Sequence, residues 1–372
     1  MLIGRTARLS EMARFRADPI AWMDAFARSN DGIRRLDERT VAIADPVLAR
    51  GVLRNDDGCF HEHSDFFGSG RSSFDARDAQ IAIGRGAVDR LLDDLRARPV
   101  AALLAAAGTR QRWPEAGVAL MEALARDTLA GPHRPAAFHV ARDAALAARF
   151  ALRPVRPWTR VRLRFAIYRA VERERDAAVS GGPPRDLLDL LVALAPDAST
   201  EKLVEMYLAL NVAVQGSLGF AIGWALLLAR GEDHRTAPPR HVFTEALRLH
   251  PVAWLLSRRV AVPHRLGSVE MVPDEEAWVL PYAVHRRPDR WPEPERFWPG
   301  RWSAAHDRAA WLPFGAGAHS CAAISLSYQL FERVWTALHA DWHVAIEGIG
   351  PPAPIGVTLR PPPFTLALTP RR

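Results

Sequence analysis

Lysine is almost missing from this chain: Lys202 is the only one among 49 basic residues, the rest being arginine. Set against 42 acidic residues, the net charge is +7, with the signs mixed and no basic run. That pattern argues against a nucleic-acid-binding surface, although a basic surface favours an acidic protein partner. Cysteine is scarce as well, with two in 372 residues, Cys59 and Cys321. Two cysteines cannot build a disulfide framework or ligate an iron–sulfur cluster, and they suit a reducing cytoplasm. The opening MLIGRTARLSEMARFR has no apolar core and no cleavage signal, so secretion is not expected. No dinucleotide fingerprint follows a strand, which speaks against an attached flavin or nicotinamide domain. Internal repeats and low-complexity linkers are also missing, and the expectation is one domain over residues 1–372. Long uncharged runs are limited to one, Met206 to Ala229, bracketed by Glu205 and Arg230.

The rest is a soluble composition, 49% hydrophobic and 24% charged. Apolar spacing predicts helices over 18–30, 79–107, 115–130 and 150–179, the last of these long and basic. RRLDERTVAIADP (Arg34–Pro46) reads as two short strands around a turn, and PVLARGVLR as the helix after it. Gly181–Pro184 is a break, followed by the short helix DLLDLLVAL. Asp197–Thr200 offers capping residues for a helix that could run to Ala229. Beyond Arg258 the texture is short strands and Pro-rich loops, then a last helix from about Ala322 to Ala340 and a β-like tail. The fold class is mainly α with a small β portion.

The chemistry concentrates in WLPFGAGAHSCAA, Trp311 to Ala323. Gly315 and Gly317 permit positive φ and a close approach of the backbone to a flat ligand. Cys321 stands where a helix begins, and such a thiolate is a good metal ligand. The run Phe314-Gly315-Ala316-Gly317-Ala318-His319-Ser320-Cys321 resembles the haem-binding signature of the cytochromes P-450, the haem-thiolate monooxygenases. Ala323 stands where that family often has glycine. The resemblance implies a single-domain haem-thiolate fold with haem b held by Cys321 as axial ligand, and with Phe314, Gly315, Gly317 and His319 around it.

Other segments follow in the family's order. EALR, Glu245 to Arg248, resembles its E-x-x-R helix, and WPEPERFWPGRW resembles the segment whose arginine completes a buried network with that pair. Arg296 and Arg301 are the two candidates for this third member. Arg258 lies where the family places a cation for a haem propionate, with Arg259 as the confusable neighbour. Arg85 is a further propionate candidate, on an early helix. His61-Glu62-His63 could ligate a metal through alternating histidines, but has no third ligand nearby in sequence, and an exposed loop is the expectation.

The uncharged run falls where the resemblance places a long central helix over the haem, so burial rather than a membrane span is expected. Gly216, Gly219 and Gly223 then share one face and suggest a groove for haem and substrate. Where the family has a small pair, an acid and a threonine, this chain has Ala213, Val214, Gln215, Gly216 and Ser217. The acid is missing and serine replaces threonine. Catalytic roles are expected for Ser217, Gln215 and Gly216, with the missing proton donor replaced by substrate, by Gln215 or by water beside Gly216. The link from Ser217 to Glu245 is short for the family.

The resemblance implies oxidation of a small organic substrate, free or carrier-protein-bound and expected to be a natural-product intermediate. O₂ and electrons would come through a separate NAD(P)H-dependent partner, a ferredoxin with its reductase, acting on a monomer. Two alternatives are kept: a peroxide-using or radical-coupling haem enzyme, and a haem-binding or recruitment protein that has lost catalysis.

Overall fold

The structure, a computed structural model, describes residues 10–61, 77–150, 156–180, 182–231, 236–304 and 308–371. It divides into two compact units built from alternating stretches of the chain. One comprises Met1–Gly70, Arg248–Phe297 and Trp302–Ser320; the other comprises Arg71–Leu247, Trp298–Arg301 and Cys321–Arg372.

In the first unit, helices α1 (Glu11–Ala17) and α2 (Pro19–Arg28) precede strands β1 (Ile33–Arg35) and β2 (Thr40–Ile43), and α3 (Pro46–Arg54) follows. The paired strands and the helix agree with the pattern read between Arg34 and Arg54. Asp45 starts α3 by accepting from the amides of Val47 (2.9 Å) and Leu48 (2.8 Å), with Pro46 in the first turn, where its missing N–H costs nothing. Strands β4 (Leu256–Arg259) and β7 (Glu276–Val279) complete a four-stranded sheet in the order β1-β2-β7-β4. β2 and β7 run parallel, and the outer pairs are antiparallel. A strand flanked on both sides is buried along its whole length, as β2 is: Thr40 to Ile43 are all buried, and Val41, Ala42 and Ile43 are apolar. β5 (His264–Leu266) and β6 (Val269–Met271) form a separate hairpin, and the short helix α13 (Pro281–Val284) follows β7. The core joins Val41, Ile43, Leu53, Val260, Val279 and Leu312.

The second unit is helical: α4 (Arg77–Ala97), α5 (Val100–Ala106), α6 (Glu115–Leu129), α7 (Ala136–Phe150), α8 (Pro157–Ser180) and α9 (Leu187–Leu194), then the central helix and, near the end, α14 (Ile324–Asp341). The helix read from Phe150 to Val179 is met by α8, which opens on Pro157, a residue suited to a first turn. Strands β3 (Arg110–Trp113), β8 (Trp342–Glu347) and β9 (Phe364–Pro370) form an antiparallel sheet in the order β3-β9-β8. Helix α12 (Pro239–Leu249) begins in this unit and ends in the other.

The central helix is not one α-helix. α10 (Thr200–Val212), capped by Ser199, passes into a π-helical segment at Ala213–Leu218 and resumes as α11 (Gly219–Leu228). Among the described residues, Thr200–Leu228 is long and apolar enough to cross a membrane, yet 72% of its most apolar window is buried inside the protein. Among the described residues of 229–238 there is no helix between α11 and α12, consistent with the short link.

The three glycines of the run do not form a groove. A Cβ on Gly219 would lie 2.8 Å from the backbone carbon of Gly117 on α6, and one on Gly223 would lie 3.1 Å from Pro361 and 3.2 Å from Trp113. One on Gly216 would meet the Phe150 ring at 2.8 Å, so the space expected to hold water is taken by an aromatic side chain. These glycines serve close packing between backbones and rings.

Candidate active site

The loop Trp311–Ser320 turns on its glycines. Gly315 (φ 71°) and Gly317 (φ 74°) both adopt the left-handed conformation, with the Gly315 amide on Leu312 O at 3.2 Å. The close approach at Gly317 is to protein: a Cβ there would lie 2.7 Å from Arg54 Cα at the end of α3. Gly317–His319 forms a single 3₁₀ turn, with His319 half-buried, and Phe314 packs edge-on against Trp311 at 5.8 Å.

Cys321 comes next in the chain as a free, half-buried thiol. It precedes α14 by more than the sequence suggested. The helix starts at Ile324 with Ala323 as its N-cap, so the cysteine sits in the turn ahead of it. Burial raises its pKa above the ordinary thiol value, and the Ala323 N–H only partly offsets this. An enclosed thiol of this kind becomes a stable thiolate when a cation takes the place of its proton. Gly84 of α4 packs beside the same turn, 3.4 Å from the Ala322 side chain at its Cβ position. The adjoining Arg85 is exposed, so its guanidinium is not enclosed with that turn.

On β4 the side chains alternate. Arg258 is buried and Arg259 exposed, the latter paired with Asp274. Arg258 is 6% exposed, and among the described residues its guanidinium bonds to the carbonyl of Ser257, at 3.2 Å. Burial without a carboxylate lowers its pKa. A buried cation lacking an anion within the described protein fits an anionic ligand group, as a haem propionate would be.

The E-x-x-R helix is α12, and its pair is buried: Glu245 and Arg248 are both fully enclosed. Glu245 accepts from the Trp298 amide (3.1 Å) and from Arg301 Nε (3.3 Å). Arg301 is therefore the third member. Arg296 is exposed and pairs with Glu293 at 3.0 Å. Arg248 donates to the carbonyls of His285 (2.9 Å), Pro294 (2.7 Å) and Arg296 (3.1 Å). His285, which no sequence signal marked, joins two segments. Its Nδ1 donates to Arg248 O at 3.1 Å, and its Nε2 accepts from the Leu312 amide at 2.8 Å, where the glycine loop begins. That pair of bonds needs the neutral ring, and burial pushes its pKa down to about 3.

Around the π turn, Leu210, Val212, Ala213, Val214, Ser217 and Leu218 keep partial accessibility. All of these but Val212 follow spacings of three and four along one side. Ser217 Oγ is itself enclosed and has no hydrogen-bond partner among the described residues. Gln215 lies elsewhere: it is buried, and its amide donates to Glu122 on α6. Glu122 in turn holds Arg142 of α7, whose Nε donates to Asn211 at 3.0 Å. Nothing in the sequence linked these four positions, which are separated by up to 93 residues.

Among the described residues, His133, Asp186 and Asp189 cluster with metal-ligating atoms within 4.8 Å of one another. Arg134 fills that cluster, bonding Asp186 through Nε (2.8 Å) and Nη2 (2.7 Å), so its carboxylates are already balanced. His61 is exposed; Glu62 and His63 lie outside the described residues.

Comparison with known proteins agrees with this architecture. Residues 240–328 match the family model "Cytochrome P450". The chain is 38% identical over 91 residues to cyclooctatin synthase and 40% identical over 86 residues to cyclooctat-9-en-7-ol 5-monooxygenase, both of Streptomyces melanosporofaciens. These matches cover 23% and 22% of this chain, and only about a fifth of each relative (20% and 19%). Over the whole chain, the fold superimposes on CYP175A1 of Thermus thermophilus with a TM-score of 0.70 at 20% identity, covering 100% of this chain and 99% of that one. Residues 240–328 thus match the cytochrome P450 family in sequence, and the whole chain shares its fold with solved cytochromes P450.

Proposed function

We propose that this protein is a haem-thiolate monooxygenase that oxidises a small, largely apolar organic molecule. The observation that carries the reading is Cys321, a free, half-buried thiol that follows a double-glycine turn. Two features of the chain support the fit of haem. Arg258 is a buried guanidinium without a carboxylate among the described residues, suited to a propionate, and the central helix stays partly accessible around Ser217. In this reading Cys321 ligates the iron, Arg258 and His319 hold propionates, and Glu245, Arg248 and Arg301 keep the surrounding segments in place. Haem ligated by thiolate supplies the oxygen chemistry, to which the cysteine contributes electron density. The face of Leu210, Ala213, Val214 and Leu218 offers an apolar wall for substrate. Two matched relatives carry the names of a synthase and a monooxygenase, which favours a tailoring oxidation of a natural-product intermediate. Electrons would come from NAD(P)H through a separate ferredoxin and reductase, with the protein acting as a cytoplasmic monomer.

A red-shifted ferrous–CO band tests the ligand, and a panel of candidate substrates tested for a Soret shift would find the ligand class. A second reading, peroxide use or radical coupling, is favoured by one observation: the π turn Ala213–Leu218 holds no acid. Product formation with O₂ and reductase, compared with peroxide alone, separates the two.

A further inference from the structure

The acid absent from the central helix is present next to it. At the π turn, Ser217 belongs to the accessible face, whereas Gln215 and Asn211 are buried against other helices. Gln215 Nε2 donates to Glu122 Oε2. An ionised carboxylate only accepts, so this bond fixes the Gln215 amide with its NH₂ toward α6 and leaves the carbonyl oxygen as the end open to another donor. Arg142 grips the same carboxylate through Nη1 (2.9 Å) and Nη2, and is itself tied to Asn211. Arg142 is 1% exposed, but the Glu122 side chain is 30% exposed. Water therefore reaches Glu122 while its partners in the helix interior stay enclosed. A π turn breaks the regular i→i−4 ladder and is frequent at functional sites.

We infer that Glu122 serves the central helix in place of the missing acid, as the solvent-side end of a proton path that crosses the helix at the π turn by way of Gln215. This deepens the haem-thiolate reading and rests on it. Glu122 takes a proton from bulk water on one carboxylate oxygen and gives one to a water held by Gln215. That water passes a proton on toward Ser217, and every group returns to its starting state. Only O–H bonds form and break. To take the proton, Glu122 releases one Arg142 N–H, and Asp143, 3.1 Å from Arg142 Nη1, keeps the guanidinium partnered meanwhile. Glu122 is a positioning residue, acting through Gln215 rather than on the reacting atoms.

Three variants test this in the haem-loaded protein with its redox partners. Gln215→Ala leaves the Glu122–Arg142 pair intact. Glu122→Asp keeps the charge for Arg142 but draws it back from Gln215 by one methylene. Glu122→Gln removes the charge. All three should retain the thiolate-type ferrous–CO band while product per electron falls roughly tenfold or more, the scale of outer-shell losses at metal sites, and peroxide release rises. The C–O stretch of the CO complex supplies a readout apart from turnover. Its shift between H₂O and D₂O, expected for the parent protein with water at Ser217, should vanish in the variants. If Glu122→Gln does not fold, the other two decide. Parent-like coupling and isotope shift in Gln215→Ala, or full function in Glu122→Asp, overturns the inference. Absence of the thiolate band in the parent protein would instead overturn the haem-thiolate reading beneath it.

Discussion

Arg301 Nε meets Glu245 Oε1 at 3.3 Å with both side chains sealed from water. A carboxylate so placed depends on its donors. Glu245→Ala should cost roughly 3–5 kcal/mol by leaving buried cations uncompensated. Arg296→Ala, at an exposed pair, should change the unfolding free energy by less than about 1 kcal/mol. Denaturant unfolding of the two variants checks both statements, and a haem-loaded, fully stable Glu245→Ala would contradict the first.

His285 makes stability depend on pH. Its folded pKa is about 3, below the ordinary 6.5, so between those values the unfolded chain binds a proton that the folded one refuses. The stabilisation is complete above about pH 6.5 and is lost as pH falls toward 3. By pH 5 the loss is about 2 kcal/mol, at 1.36 kcal/mol per unit of difference. His285→Asn keeps a donor toward Arg248 O but cannot titrate. Its unfolding free energy should change less between pH 8 and pH 5 than that of the parent, measured in parallel.

Cys321→Ser should abolish the red-shifted ferrous–CO band, whereas Cys59→Ser should retain it. The two cysteines differ in surroundings: Cys59 packs at the edge of the first unit's core, and Cys321 follows the glycine turn. Spectra of the two variants at equal haem loading settle the ligand.

Ser217→Ala should lower product per electron and raise peroxide release with haem content unchanged. Its hydroxyl has no hydrogen-bond partner to lose among the described residues, so little stability depends on it. A positioned proton donor typically contributes 10²–10⁴-fold. Unchanged coupling would remove Ser217 from the reaction.

Gly219→Ala should destabilise more than Gly216→Ala. The new methyl at 219 would run into the Gly117 backbone, while at 216 it would meet a side-chain ring that can swing. Overpacking costs typically 1–3 kcal/mol, and more where backbone must move. Gly216→Asp meets the same Phe150 ring, so any acid restored there should first require Phe150→Ala to fit. Thermal unfolding of the four proteins gives the order.

Local signals in the sequence located much of this. Asp45 and Pro46 announce α3, Ser199 announces α10, and the order of Gly315, Gly317 and Cys321 marks the loop, because caps and left-handed turns are decided by neighbours in the chain. The choice between Arg296 and Arg301 was not legible, since both flank the same aromatic cluster and only burial separates them. Nor was the role of Gly216, Gly219 and Gly223: a shared helical face is the same signal whether the face meets a ligand or another backbone. Glu122, Arg142 and His285 stand among many Glu, Arg and His residues with nothing local to single them out, and only the tertiary fold brings their partners within reach.

The π turn at Ala213–Leu218 carries one more residue per turn than the α-helix on either side. It works as slack. The additional residue is taken up within the turn, so α11 keeps nearly the phase relative to α10 that an unbroken helix one residue shorter would have. Wound as regular α-helix with that residue retained, the stretch would rotate everything downstream by about 100°. Gly219 would then leave Gly117 and a bulkier neighbour would face the α6 backbone. The fit of α11 to α6 therefore depends on the irregular stretch between α10 and α11.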